Sequence, residues 1–236
     1  MSAWSMNNEG GMTKMTLNKS KGNMYDFVTH TWNVVKGKCP HDCEYCYMKI
    51  FKQHPLHLAQ NELLTDLGSD NFIFVGSSCD MFANDVPDEW IKKILGHCNK
   101  YQENKYLFQT KNPERIIQFK TFIPKNSVIG TTIETNKTYS QMGKTPTPLN
   151  RAGMLAILKG MGFETMITIE PIMQFDLVEF TRIIHIAKPK WVNIGADSKG
   201  HNLPEPSMED VRYLVLALKL FTVVRKKNNL GRLGVD

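Results

Sequence analysis

The residues best suited to chemistry are three cysteines, Cys39, Cys43 and Cys46, spaced Cys-x3-Cys-x2-Cys, with an aromatic residue, Tyr45, immediately before the last. Thiolates are soft ligands that suit zinc and iron–sulfur clusters. Three of them within one short loop can reach three corners of a single cluster. Clusters are ordinarily held by four cysteines, so a set of three leaves one iron without a protein ligand, and chemistry can happen there. The competing reading is a structural zinc ion, which takes four protein ligands. Here Cys43 and Cys46 form the one ordinary Cys-x2-Cys pair, and His41 would have to help complete the site.

These side chains need a frame, and the chain supplies one from Thr31 onward, where β-rich runs alternate with helical patterns. The strands are expected at Thr31 to Val35, Phe72 to Ser77, Tyr106 to Thr110, Val128 to Ile133, Met166 to Glu170 and Trp191 to Gly195. Continuous apolar runs such as Phe72-Ile73-Phe74-Val75 suit strands buried on both faces. Pro87-Asp88-Glu89 opens a helix whose apolar face is Trp90, Ile91, Ile94, Leu95 and Cys98. Asp176 with Glu179, and Ser207 with Asp210, read as capping boxes that open helices near 177–187 and 208–226. Weaker helical patterns follow Cys46, Pro113 and Asn150.

Six strand–helix units in sequence imply an α/β fold with a parallel sheet and outer helices, either curled into a barrel or left doubly wound. In both, the C-terminal ends of the strands gather at one face, where ligands bind. Polar clusters sit just after the strands: Ser77 to Asp80, Gln109 to Lys111, Thr132 to Asn136, Glu170-Pro171 and Asp197-Ser198. The cysteine stretch follows the first strand and so joins the same face.

With 236 residues and 42% hydrophobic composition the chain can bury a sizeable core. Residues 24–236 are expected to form that domain, and residues 1–23, rich in Asn, Gly, Lys and Met, a flexible tail. Five cysteines, three of them clustered, do not resemble a disulfide framework and favour a reducing cytoplasm. No signal peptide or membrane span is indicated. The net charge of +6 makes a polyanion such as nucleic acid a candidate partner. Arg225, Lys226 and Lys227 read as the basic end of the last helix, and Lys14, Lys19 and Lys21 could extend a phosphate-binding surface.

The cysteine motif resembles that of the radical S-adenosylmethionine (radical SAM) superfamily, in which it follows the first strand of a partial (β/α)6 barrel. A closer resemblance is to a phage-associated family of radical-SAM-like proteins. It rests on Thr31-Trp32-Asn33, Asp80-Met81-Phe82, Asp85 to Trp90, Thr110 to Arg115, Ile169-Glu170-Pro171 and Trp191 to Gly195. The resemblance implies a [4Fe-4S] cluster on Cys39, Cys43 and Cys46 with S-adenosylmethionine chelating the open iron. One electron, from a donor such as flavodoxin or ferredoxin, then cleaves the sulfonium C–S bond, and the deoxyadenosyl radical takes a hydrogen from the substrate.

Roles for the remaining residues follow from that resemblance. Tyr45 would lie near the adenine, with Tyr47 either beside it or packing. Where many members carry a Gly-Gly-Glu-type segment for the methionyl amine, this chain has Gly76-Ser77-Ser78, so Ser77, Ser78 and the charge of Asp80 would serve instead. Lys111 could pair with the methionyl carboxylate, Thr132 or Glu134 could bond the ribose, and Glu170 and Asp197 would complete the mouth. Cys79 could face the cavity and return a hydrogen atom to the substrate, or be a small buried hydrophobe. The substrate expected is a nucleic-acid base or nucleotide, modified or rearranged on DNA. The alternatives are a small molecule, a peptide, or a zinc-bound interaction module without turnover.

Overall fold

The computed structural model describes residues 4–6, 12–14, 16–21 and 24–235. Near the N-terminus, β1 (Trp4–Met6) pairs antiparallel with β2 (Met12–Lys14). The short β3 (Asn18–Lys19) pairs antiparallel with β4 (His30–Trp32) at the edge of the main sheet, so the sheet begins inside the segment expected as a tail. Residues 1–3, 7–11, 15 and 22–23 of that segment lie outside the described residues. The cysteine loop is bracketed by a small antiparallel pair, β5 (Val35–Lys36) and β6 (His57–Leu58).

The rest is strand and helix in alternation: β7 (Phe72–Val75), α1 (Asp88–Cys98), β8 (Lys105–Gln109), α2 (Pro113–Gln118), β9 (Ser127–Thr132), α3 (Pro148–Gly160), β10 (Glu164–Ile169), α4 (Leu177–Ala187), β11 (Trp191–Ile194), α5 (Met208–Lys219) and β12 (Val223–Lys226). All six expected strands are present to within one or two residues, except that the first ends at Trp32 and Val35 joins the small bracket. The sheet order is β12-β11-β10-β9-β8-β7-β4-β3. From β4 to β12 every pairing is parallel and the order never reverses, so the winding is that of a partial barrel rather than a doubly wound sheet. Among the described residues the sheet does not close: β12 and β3 are its two edges.

Two helical expectations change. The last helix stops at Lys219, not 226, and the β-branched residues Thr222, Val223 and Val224 lead into a further parallel strand along β11. Arg225 and Lys226 therefore lie on a strand and Lys227 just beyond it, and the basic run does not close a helix. After Cys46 there is only a single 3-10 turn, Tyr47–Ile50. Both N-caps form, with Asp176 accepting from Glu179 N at 2.9 Å and Ser207 from Asp210 N at 3.1 Å, but not as reciprocal boxes. Asp176 N donates to Asn136 Oδ1 at 2.8 Å while Glu179 pairs with Arg182, and Asp210 Oδ2 accepts from the Ser207 hydroxyl at 2.7 Å.

Successive strand residues point to opposite faces, and both faces are buried. Ile73, Tyr106, Phe108, Ile129, Ile167 and Val192 join the large core against the helices. Phe74, Leu107, Val128, Met166 and Trp191 point into the half-barrel, where Tyr25 and Val28, from the segment before β4, pack on them. Arg225 on the last strand lies 5.3 Å over Phe27 and 5.1 Å over Trp191, so that segment spans the interior from the first parallel strand to the last.

Candidate active site

The cysteine loop is held from two sides. At its base Lys38 N donates to His54 O at 2.8 Å and Ala59 N to Val34 O at 2.8 Å. Gly37 permits this closure: its φ is +97°, and a Cβ there would stand 2.3 Å from Pro55 O. From the other side comes the segment after β9. Glu44 N donates to Gln141 O at 2.8 Å, Lys144 N to His41 O at 2.7 Å, and the Cys43 thiol to Met142 O at 3.3 Å. Gly143 (φ +65°) comes so near that a Cβ would meet His41 O at 2.1 Å. Cys43 and Tyr45 pack there with Met142, Met173 and Leu203.

The loop forms one wall of a cavity of about 570 Å³ at the C-terminal ends of the strands. That volume lies within the range of roughly 300–1,000 Å³ usual for small-molecule sites. Cys39, Cys43, Cys46, Tyr45, Ser77, Ser78, Cys79, Asp80, Lys111, Thr132, Glu170 and Asp197 all line it. Glu134 does not.

Several of these residues are already engaged. Asp80 Oδ2 accepts from His41 Nε2 at 2.8 Å, Thr110 Oγ1 at 2.9 Å and Lys111 N at 2.8 Å, while its Oδ1 accepts from Phe82 N at 3.0 Å. Burial raises its carboxyl pKa, but His41 and these bonds hold it below the usual range, and the same pairing raises His41 against burial. Asp80 thus fixes the cysteine loop to the ends of β7 and β8, and its oxygens are occupied. Glu134 is buried behind Tyr45, bonded to the Tyr45 hydroxyl and paired with the equally buried Arg151 at 2.9 Å. Burial pushes its carboxyl up, and Arg151 and Lys111 more than reverse this. Lys111 Nζ lies 3.9 Å from Glu134 and 5.4 Å over the Tyr45 ring. Burial disfavours its charge, yet Cys43 and Glu134 raise its pKa.

Cys79 is buried beside Cys39, and the interaction between the two thiols lowers the Cys39 pKa to about 6 against burial and, together with burial, raises that of Cys79. Burial raises Cys43. Ser77 Oγ and Ser78 N both donate to Asn33 Oδ1, at 3.1 and 2.9 Å. The buried Ser78 Oγ has no hydrogen-bond partner among the described residues.

Across the cavity, Tyr25 Oη donates to Gln109 Oε1 at 2.8 Å, and Gln109 Nε2 donates to Thr132 Oγ1 at 3.2 Å. Burial raises the Tyr25 pKa, so the phenol stays protonated. Glu170 pairs with Lys227 at 2.6 Å and accepts from Asn229 at 2.8 Å. Asp197 holds its own loop, accepting from His201 N at 2.6 Å and His201 Nδ1 at 2.7 Å. Among the described residues no three His, Cys, Asp or Glu side chains are grouped as a single-ion site requires.

Sequence reasoning did not single out Arg151, Tyr25, Lys227 or His201 for this site. Arg151 carried a signal, a lone cation on an apolar helix face. Tyr25 carried none, because its partner Gln109 is 84 positions away.

The model of one protein family, described as "Protein of unknown function (DUF5131)", matches residues 23–209. No curated protein matches the sequence. Among solved structures, spore photoproduct lyase complexed with dinucleoside spore photoproduct is similar at a TM-score of 0.64 and 11% identity, covering 88% of this chain and 78% of that chain. A mutant of that lyase with bound AdoMet and dinucleoside spore photoproduct gives 0.63 and 10%, covering 89% and 80%. A third structure, another mutant, gives 0.65 and 9%, covering 90% and 80%. At such identities the likeness is one of fold. No helix among the described residues is long and apolar enough to cross a membrane.

Proposed function

The chain belongs to the family described as "Protein of unknown function (DUF5131)", and from that premise we propose that it is a radical S-adenosylmethionine enzyme. The observation that carries the reading is the placement of Cys39, Cys43 and Cys46 on one wall of a cavity at the C-terminal ends of a partial barrel. The donor set fits the implied cofactors. Three thiols are available for a [4Fe-4S] cluster. Ser78 Oγ is a buried polar atom awaiting a partner, and Lys111 is a half-buried cation whose nearest carboxylate is too distant for a hydrogen bond. When bound, the cluster and S-adenosylmethionine supply one-electron cleavage of a sulfonium C–S bond and a nucleoside radical that removes hydrogen from the substrate.

The chain's own residues bind, orient and exclude. Cys39, Cys43 and Cys46 hold the metal. Ser77 and Ser78 meet the methionyl amine, and Lys111 its carboxylate. Tyr45, locked by Glu134, gives the adenine side a fixed face. Asp80 acts through His41 and Lys111, whose positions it sets, rather than by touching the cofactor. Thr132, Glu170 and Asp197 shape the opposite wall. Cys79 keeps a hydrogen on Sγ at the cavity wall, from which it can be given to the substrate. An electron donor such as flavodoxin or ferredoxin would serve it. The substrate read from this site is a nucleic-acid base or nucleotide. Six lysines line the cavity against four carboxylates, and a phosphate-bearing substrate would complement that surplus.

Anaerobically reconstituted protein, reduced with dithionite, is expected to convert S-adenosylmethionine to 5′-deoxyadenosine, and Cys43→Ala to abolish it. No product from iron-loaded protein would overturn the proposal. A zinc-bound module would show neither iron uptake nor turnover.

A further inference from the structure

Immediately after the third cysteine the chain makes the turn Tyr47–Ile50 and continues through Phe51 and Lys52. The turn is firmly framed. Tyr47 Oη donates to Ser77 O at 2.6 Å, and Gln53 Nε2 donates to the carbonyls of Met48 and Phe51 at 2.6 and 2.9 Å. Lys49 Nζ pairs with Asp42 at 2.9 Å. Yet the turn buries none of its residues: Tyr47 is 46% exposed, Ile50 64% and Phe51 56%. A rigid frame that holds three large apolar side chains in water does not serve the packing of this chain, and such patches mark interaction sites.

The patch adjoins the cavity: Tyr47, Met48, Lys49 and Gln53 line it, and Ile50, Phe51 and Lys52 lie between them in sequence without lining it. Lysines interleave with the apolar residues, Lys49 and Lys52 on the turn itself, with Lys21, Lys38 and Lys199 also lining the cavity. The acid on this rim, Asp42, is shared by Lys38 at 3.1 Å and Lys49 at 2.9 Å. Rings and lysines in alternation match a polymer with a flat base and a phosphate in every residue. The bases stack on the exposed side chains and the phosphates meet the lysines.

We propose that the 47–52 turn is a stacking wedge that engages a single-stranded nucleic acid at the cavity mouth and presents one nucleotide to the cavity. The inference rests on the nucleic-acid substrate of the proposed function and not on its radical chemistry. A redox partner protein would also meet a basic, apolar face near the cluster. The strand is favoured because Tyr47, Met48, Lys49 and Gln53 of this segment also line the cavity that the proposed nucleotide would occupy.

The test is fluorescence anisotropy of labelled 12-nucleotide DNA and RNA strands with the full chain, reconstituted anaerobically, at low salt. Stacking on one aromatic ring sets the expected loss for Phe51→Ala at about tenfold in affinity, and Ile50→Ala, which removes only apolar contact, should lose less. Lys52→Gln should lower the slope of log K against log salt by about 0.7, and a duplex should bind at least about tenfold more weakly than the strand. Wild-type affinity in both apolar variants, equal binding of duplex, or no binding of either strand would overturn the proposal. So would a Phe51→Ala effect confined to the rate of reduction by flavodoxin. Iron content on the same samples separates the two readings, because strand binding through Phe51 without iron uptake leaves this inference standing and removes the enzyme.

Discussion

Replacing Arg151 with Met tests how the charged layer beneath the cavity is held. Arg151 and Glu134 are both fully buried and 2.9 Å apart, and Glu134 also holds the Tyr45 hydroxyl. Removing one partner of a buried pair costs about 3–5 kcal/mol, because the other charge is left without compensation. Lys111, 3.9 Å from Glu134, offsets part of this and places the expected loss near the lower end, about 3 kcal/mol. In a chain of this size that is a fall of about 6–12 °C in Tm.

The pH dependence carries a sign as well. In the native protein the Glu134 pKa is depressed, so its contribution is present above the unfolded value and is lost as pH falls through the folded one. Without Arg151 the largest influence holding the carboxyl down is gone and its folded pKa rises, so the variant loses less stability than the native protein as pH falls through this range. Urea unfolding at about pH 3 and about pH 7, on either side of the unfolded value, measures both effects, and the Glu134→Gln, Arg151→Met double variant should recover most of the loss. An Arg151→Met protein within about 1 kcal/mol of wild type at both pH values would refute the reasoning.

Three further outcomes are expected. Gly37→Ala should lower Tm and iron uptake together, since its Cβ would collide with Pro55 O at 2.3 Å on a backbone with φ +97°; normal iron uptake would show that the base of the loop does not matter. At the opposite end of the barrel, Glu164 binds Lys190 at 2.6 Å and Lys105 at 3.0 Å, which outweighs burial and depresses its pKa. Glu164→Gln should therefore cost less than about 1 kcal/mol at pH 7 and nothing once pH falls below the folded pKa, as read by urea midpoints. Cys79→Ala should keep its iron but lose deuterium transfer from solvent to product; unchanged incorporation would assign Cys79 to packing alone.

The strands were legible because their cores are apolar and β-branched runs, and helix starts because Asp176 and Ser207 cap them locally. The grouping of Cys39, Cys43 and Cys46 on one cavity wall was legible because the three lie in one loop. What escaped depended on distance along the chain. Val223–Lys226 continued the helical pattern of α5 and became a strand only because β11 offers it an edge. Glu134 looked like an acid free at a strand end, and its engagement by Tyr45, 89 positions away, decides otherwise. Asp80 was read as a charge for the methionyl amine, and its place as the hub that ties His41, Thr110 and Lys111 together was not legible.

The central claim is that Cys39, Cys43 and Cys46 carry an iron–sulfur cluster with one open iron. Electron paramagnetic resonance of the reduced, reconstituted protein, with and without S-adenosylmethionine, tests it most directly, with iron and sulfide assayed on the same sample. The account predicts about four irons and four sulfides per chain and a reduced-cluster signal that shifts when S-adenosylmethionine is added. About one zinc per chain with no cluster signal, or a cluster signal indifferent to S-adenosylmethionine, would contradict it.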